Sequence, residues 1–438
     1  MSIAVLAGAM VAVSATSSTA APTPAAAAAP AATPAAAAAP AAAAPTTAPQ
    51  AERVTLSSTG KQLQEATSVN GLSADGRYAV FTSGDSGVVP GDTNKQNDVF
   101  VRDLSRGTVE RVNVASDGTQ ANGTSHYAEI SADGRYVAFM SSATNLVEWP
   151  TPPTYAQDVY LHDRRTGRTE RVSTTPGGGS AHTFDNLSMS ADGRYIAFDA
   201  SSKQMEGDPK DQNLAYVVDR RTGTAKRISD HIPADWYVFG LNLSADGSHL
   251  AYVQRHPRGG RHELWLADLR SGEQKLVNAA SDGSPTNGTP AGTSLSADGS
   301  LVSYTSFDES TVPGAPSYTW ELYLFDSRTG KTRWVTHEGK GELGGGLLSP
   351  DGRRLAYMTD DTPGDGPTVN NVHVRDLGTG RTQLVTRTLA GGPQTGGYAA
   401  PAAFADKGRL LGFFSTAPDL VPGDTNGVGD GFVRRLRG

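Results

Sequence analysis

The chain has 438 residues, of which 45 are acidic and 38 basic, for a net charge of −7, and it contains no cysteine. The acidic balance argues against a nucleic-acid platform, because phosphate binding needs a basic stripe. The missing cysteine removes disulfides, thiol catalysis, Cys-ligated zinc and an acylated-cysteine anchor together.

Residues 3–13 (IAVLAGAMVAV) form an apolar run followed by small residues as far as Ala20. The run is too short to span a bilayer and suits the core of a signal peptide over residues 1–20. It is atypical in one respect: no Lys or Arg occurs before Arg53. Residues 21–50 are almost entirely Ala, Pro and Thr. Prolines interrupt the alanine runs, so neither a long helix nor a core is available, and the stretch reads as a semi-extended linker. The expectation is a secreted or cell-envelope protein whose folded part covers residues 51–438, without a membrane span and monomeric.

From there one phrase recurs. It starts at Ser73 (SADGRYAVF), Ser131 (SADGRYVAF), Ser190 (SADGRYIAF), Ser244 (SADGSHLAY), Ser296 (SADGSLVSY) and Ser349 (SPDGRRLAY), at intervals of 52 to 59 residues. A degraded seventh copy starts at Phe404 (FADKGRLLGFF) and reads as having Lys407 inserted between Asp406 and Gly408. A period of this size announces a solenoid or a propeller. Asp-Gly supplies the positive φ of a tight turn. The continuous apolar run after it suits a strand covered on both faces. The arginines that recur beside these turns (Arg77, Arg135, Arg194; Arg164-Arg165, Arg220-Arg221) are expected to be solvated turn charges.

A second phrase completes the unit: DVFVRDLSRG from Asp98, DVYLHDRRTG from Asp158, and four relatives from Leu214, Glu263, Glu321 and Asn371. Each places an Asp four residues before a Gly and leads into a further β-run such as Val109–Val112. Four antiparallel strands, seven times over, predict an all-β fold: a seven-bladed β-propeller. The last repeat supplies a third strand from Asp430 but no fourth. Glu52-Arg53-Val54-Thr55-Leu56 matches Glu110-Arg111-Val112-Asn113-Val114, so the N-terminal strand is expected to complete blade seven and close the ring.

The loops between second and third strands carry the one motif with site-like chemistry. Blade one has Asp92, Asn94 and Asp98, and blade seven has Asp424, Asn426 and Asp430, each as D-T-N-x-x-x-D. Three oxygen side chains at that spacing resemble the opening of a calcium loop, and the same residues are ordinary turn formers. Blade three keeps only Asp208 and Asp211, and blade two substitutes Glu148-Trp149-Pro150. His126 and His182 precede inner strands, with Asp185 and Glu129 close by in sequence, and would face the mouth of a central channel. A histidine–carboxylate mouth suits catalysis, metal binding or a plain wet channel. Trp149 and Trp236 sit in loops as candidates for a binding rim, whereas Trp265 and Trp320 read as packing.

The pattern S-[AP]-D-G-[RS]-x-[LVIA]-[AVS]-[FY], paired with D-[VI]-[FY]-[VL]-x-D, resembles the WD-repeat-like propeller units of the TolB family over nearly all of residues 52–438. The resemblance implies the propeller fold. It is shared with a periplasmic protein that binds a lipoprotein partner, with the propellers of prolyl-oligopeptidase-type and tricorn-like peptidases, and with oligogalacturonate lyases. The chain is expected to differ from each of these, with the Ala/Pro spacer in place of a TolB-type α/β domain, no hydrolase domain after the ring, and no match to a lyase-type histidine metal cluster. The expected function is therefore a secreted, non-catalytic module for a protein or glycan partner. The alternative is a carbohydrate-active lyase or hydrolase at the channel mouth, around His126, His182 and Asp185.

Overall fold

Each Ser-Ala-Asp-Gly phrase closes a tight turn, and the side chains explain why it recurs. The Ser73 hydroxyl donates to Asp75 Oδ1 at 2.6 Å and accepts from the Tyr78 amide at 2.9 Å. Asp75 Oδ1 also accepts the Arg77 amide at 2.9 Å. Serine and aspartate thus satisfy backbone groups that the turn leaves unpaired. The same Ser-to-Asp bond occurs at Ser131, Ser190, Ser244, Ser296 and Ser349. The glycine has two reasons to be there. Gly134 lies at φ 71°, and a Cβ on it would meet Tyr78 of the preceding blade at 2.3 Å. Gly193 meets Tyr136 in the same way, Gly247 meets Tyr195, and Gly76 meets Leu410. The turn glycine is the seat on which the neighbouring blade packs.

The computed structural model describes residues 51–149, 157–229, 232–233, 235–255, 260–286, 288–308, 310–316, 319–336, 343–364 and 366–437. The expected signal peptide and linker lie outside the described residues. Among those described are seven four-stranded antiparallel sheets, and blade one is Val69–Leu72, Tyr78–Ser83, Asp98–Asp103 and Thr108–Arg111 in order. Blade seven joins the two ends of the folded chain: the strand Glu52–Arg53 pairs antiparallel with Asp430–Arg435, Arg53 opposite Phe432. The all-β, seven-bladed ring and its closure by the N-terminal strand are as the repeats imply. One departure is a short helix, Ser202–Glu206, in the second-to-third loop of blade three, capped by the Ser201 hydroxyl.

The core sits between blades as well as within them. One cluster joins Ala138, Met140, Val159 and Leu161 of blade two to Ile196, Phe198, Tyr216 and Val218 of blade three, all nearly inaccessible. Second strands such as Tyr136–Ser141 and Tyr195–Ser201 are buried along almost their whole length. The axis is stitched by main-chain bonds from turn to turn. Ala74 donates to Ala132, Ala132 to Ala191, Ala191 to Ala245, Asp246 to Ala297, Ala297 to Pro350 and Asp406 to Ala74, at 2.7–2.9 Å. Pro350 has no N–H to give, and there Arg354 crosses instead, donating to the carbonyls of Gly408 and Arg437 at 3.0 Å each.

Two expectations need correction. Lys407 is not an insertion: Phe404 is registered with Leu411 and Ala405 with Leu410, as Leu72 is with Ala79, so the turn has the common length. Asp406 stands at the place of Ala74 and Lys407 at that of Asp75, so the acidic residue comes one place earlier, and both take positive φ (48° and 54°). Nor are the recurring arginines simply solvated. Arg77, Arg135 and Arg194 pair with Asp103, Asp163 and Asp219 at 2.6–2.7 Å. Arg164 and Arg220 lie over Tyr78 and Tyr136 of the preceding blades, so each tyrosine is held between two guanidinium groups.

Candidate functional site at the channel mouth

The strands end on two faces. The repeat turns and the third-to-fourth turns share one, here the turn face. The second-to-third loops and the links between blades share the other, the loop face. Every candidate residue from the sequence falls on the loop face. So do all four large apolar side chains that are exposed among the described residues: Phe184, Phe307, Leu389 and Tyr398, at 37–47%. Phe184 and Tyr398 stand at the start of inner strands, at the mouth of the channel.

Every inner strand breaks register with its neighbour at one place, for example between His126 and Glu129 and between Thr183 and Leu187. The same occurs in the other five blades. Such a bulge bends the strand and re-aims side chains. In blades four, five and six the bulge holds a glycine at positive φ, Gly240, Gly292 or Gly345. In blade two it holds Tyr127 at φ 49°. This non-glycine exception gathers the titratable groups of blades two and three. The Tyr127 ring meets the His126 ring edge-on at 4.7 Å. Burial pushes the His126 imidazole below its usual range, against the opposing pull of Asp185 and Gln157. Burial pushes the Tyr127 hydroxyl up, helped by the charges of Asp185 and Asp199.

Two carboxyls near the axis hold their protons unusually well. Burial pushes Glu129 up to about 7, although its Oε2 accepts the Met189 amide at 2.6 Å. Asp199, fully buried, is pushed up to about 6 by the same cause. It accepts the Asn186 amide at 3.1 Å, Asn186 Nδ2 at 2.7 Å and Asn213 Nδ2 at 2.9 Å. Asn186 Oδ1 in turn accepts the Gly240 amide of blade four at 2.7 Å. Asp199 therefore holds the bulge that presents Phe184 and Asp185.

Asp185 lies near enough to His126 for its charge to act on the imidazole. His182 does not join them: it is exposed at φ 51°, and its ring makes no hydrogen bond among the described residues. Trp149 is half-buried under the Arg171 guanidinium, 3.8 Å from its ring, so one face is already covered. Trp236 is half-buried beside the inner strand of blade four, and its carbonyl accepts from Gln212 at 3.1 Å. Glu129 is marked in the sequence by its place near His126, whereas Tyr127, Phe184 and Tyr398 carry no mark of their own there. Asp199 had a signal, since it interrupts the apolar run where sister blades carry Thr82, Met140 or Val253.

The six residues of the two D-T-N-x-x-x-D loops also come together, around an arginine. In blade one Arg111 Nη1 lies 3.4 Å from Asp92 and 3.2 Å from Asp98. Gln120 Nε2 donates to Asp92 at 2.8 Å, and Asn94 Nδ2 donates to Asp98 at 3.0 Å. Blade seven repeats this with Arg53, 2.8 Å from Asp424 and 3.1 Å from Asp430, and with Asn426 donating to Asp430 at 3.2 Å. Arg53 belongs to the closing strand. The cation between these carboxylates is a guanidinium, and among the described residues no group of three or more His, Asp or Glu side chains is placed to hold a metal ion.

Fold and site together define a seven-bladed β-propeller with an aromatic, carboxyl-bearing mouth on its loop face. No protein-family profile and no curated protein sequence matches the chain. Solved structures share the fold. An oligogalacturonate lyase from Vibrio parahaemolyticus is 14% identical over 89% of this chain and 97% of its own, with a TM-score of 0.56. A structure from a study of two prolyl endopeptidases is 13% identical over 82% of this chain and 46% of its own, with a TM-score of 0.52. TolB proteins are also among the structural neighbours. The one from Acinetobacter baumannii is 18% identical over 66% of this chain, with a TM-score of 0.39, and this chain spans 59% of its length. At such identities the likeness is one of fold.

Proposed function

We propose that this protein is a secreted or envelope-located, non-catalytic binding module that presents its loop face to a protein or glycan partner. The observation that supports this most is the placing of all four exposed large apolar side chains on that one face. Scattered exposed apolar residues are ordinary; their confinement to one face is a mark of an interaction surface. Phe184 and Tyr398 at the channel mouth, with Asp185 between blades two and three, offer a stacking face and hydrogen-bond acceptors, as sugars and peptides require. Export is supported by the apolar run of residues 3–13, and among the described residues no helix is long and apolar enough to cross a membrane. The test is binding of the full chain to a glycan array and to tagged protein partners. The signal should be lost in Phe184→Ser/Tyr398→Ser. Full retention by that variant would refute the loop-face reading.

A second reading has its own support. A carboxyl that titrates near 7 beside a channel is matched to general acid–base work, and Glu129 has that property. On this reading the protein is a carbohydrate-active lyase or hydrolase acting at the mouth. Turnover on an oligosaccharide panel, abolished in both Glu129→Gln and His126→Ala, would establish it.

A further inference from the structure

On the turn face of blades one to three, each repeat arginine has an acidic counterpart. Tyr78, Tyr136 and Tyr195 are registered with Asp103, Asp163 and Asp219, and the arginine preceding each tyrosine is paired with that aspartate. In blade seven the residue registered with Leu410 is Arg435, so the charge is reversed. Arg435 and Arg409, 65% and 61% exposed, share the one carboxylate of Asp406 at 2.9 and 2.5 Å.

Blade six adds to the excess. It carries Arg353 and Arg354 in succession, and Arg354 crosses to Gly408 and Arg437, drawing the two turns together. Arg353 is 83% exposed, with Asp351 4.0 Å away. Arg381, Lys407 and Arg437 are exposed and have no ion-pair partner among the described residues. Seven cations stand here against the carboxylates of Asp351, Asp376 and Asp406, an excess of four positive charges on a chain whose net charge is −7.

We propose that this patch docks a linear acidic polysaccharide carrying sulfate or carboxylate groups. The surface is separate from the loop face and does not depend on its function. Six of the seven cations are arginines, whose fork matches planar or tetrahedral oxyanions two bonds at a time. A membrane surface fits less well. Among the described residues all the exposed large apolar side chains lie on the opposite face, leaving none of them here to insert, and four excess charges alone give weak attachment. Single-stranded nucleic acid fits less well too. It needs aromatic faces for its bases, and in these two blades the tyrosine position of the repeat holds Arg354 and Leu410.

The experiment measures affinity of the full chain for dextran sulfate, carboxymethyl-dextran and neutral dextran. Binding to a charged dextran and not to the neutral one is expected, weakening roughly a hundredfold between about 50 and 200 mM salt for about four contacts. Binding confined to dextran sulfate or to carboxymethyl-dextran identifies which oxyanion the polymer carries. Arg435→Asp restores the arrangement of blades one to three, with Arg409 as partner, and should fold and bind at least tenfold more weakly. Arg353→Ser/Arg381→Ser should weaken binding independently. Arg106→Ser/Arg168→Ser, equally exposed on blades one and two, should leave it unchanged. The proposal is overturned by equal losses in that control pair, by undiminished binding in both patch variants, or by no binding to either charged dextran. Tighter binding to phosphatidylglycerol vesicles or single-stranded DNA than to dextran sulfate overturns it equally.

Discussion

Glu129 shows how a single side chain ties the channel to pH. Folded, it holds its proton up to about 7, whereas a free glutamate titrates near 4.3. The folded state therefore binds more protons than the unfolded state between those values. Its stabilising contribution is complete below about pH 4 and is lost as pH rises through about 7. Glu129→Gln keeps an acceptor for the Met189 amide and removes the charge. Thermal melts should show the variant matching the parent at pH 4–5 and exceeding it at pH 8; identical melts at both pH values would remove Glu129 from the pH response. The turn aspartates act in the opposite sense. Asp103 and Asp163 are held well below the usual carboxylate range, chiefly by their hydrogen bonds to Arg77 and Arg135. Their contribution is present above about pH 4 and is lost as pH falls.

Arg53 and Arg111 make a second residue-scale prediction. Replacing either by methionine leaves two buried carboxylates facing each other without a cation. Removing one partner of a buried ionic group costs about 3–5 kcal/mol. Arg53→Met should therefore lower the melting temperature at pH 7, and less at pH 4–5, where the carboxyls can take up protons. A loss independent of pH would mean that packing, not charge, accounts for the residue.

At the scale of elements, the two D-T-N-x-x-x-D loops are clasps for the strand that follows, and the blade-seven clasp fastens the closing strand. With arginine already between the carboxylates, several millimolar calcium should leave the melting temperature of the parent protein unchanged; a rise would put calcium in the loop in place of the guanidinium pairing. Closure gives a sharper contrast. Removing residues 1–50 keeps Glu52–Arg53 and should leave the melt intact. Removing residues 1–58 takes away the last ladder of blade seven together with Arg53, and should lower the melt by many degrees. Equal melts for the two truncations would contradict closure by this strand.

Much of this architecture was readable from the chain, because the repeat phrases name their own turns and strands, and because Glu52–Leu56 echoes Glu110–Val114. The inner-strand bulges were not readable. Gly240, Gly292 and Gly345 occupy them, but a lone glycine in a short strand also fits a plain turn, and Tyr127 gives no local sign of positive φ. The turn at Ala405–Gly408 reads as an insertion because its aspartate is displaced by one place while its length is kept. At the site, sequence proximity pointed to His126 and Asp185, and the Asp185 charge does act on the His126 imidazole. His182 is exposed at positive φ, and its ring makes no hydrogen bond among the described residues. Asp199 depends on Asn213, contributed by a strand fourteen residues on, and that pairing is set by the sheet.

At the scale of the whole molecule, the ring separates two chemistries. The loop face carries the exposed aromatics and Asp185; the turn face carries arginine pairs and, on blades six and seven, cations without an ion-pair partner among the described residues. A partner held on the loop face should respond to apolar substitutions and little to salt, and a polyanion on the turn face should do the reverse. The most direct measurement is binding of the full chain to arrayed uncharged glycans and to tagged protein partners at about 150 mM salt, comparing the parent with Phe184→Ser/Tyr398→Ser and with Arg435→Asp. The result predicted is loss of the signal in the first variant, its retention in the second, and no product released from any glycan. Retention in the first variant, or release of product that Glu129→Gln abolishes, would contradict a non-catalytic binding module that works through its loop face.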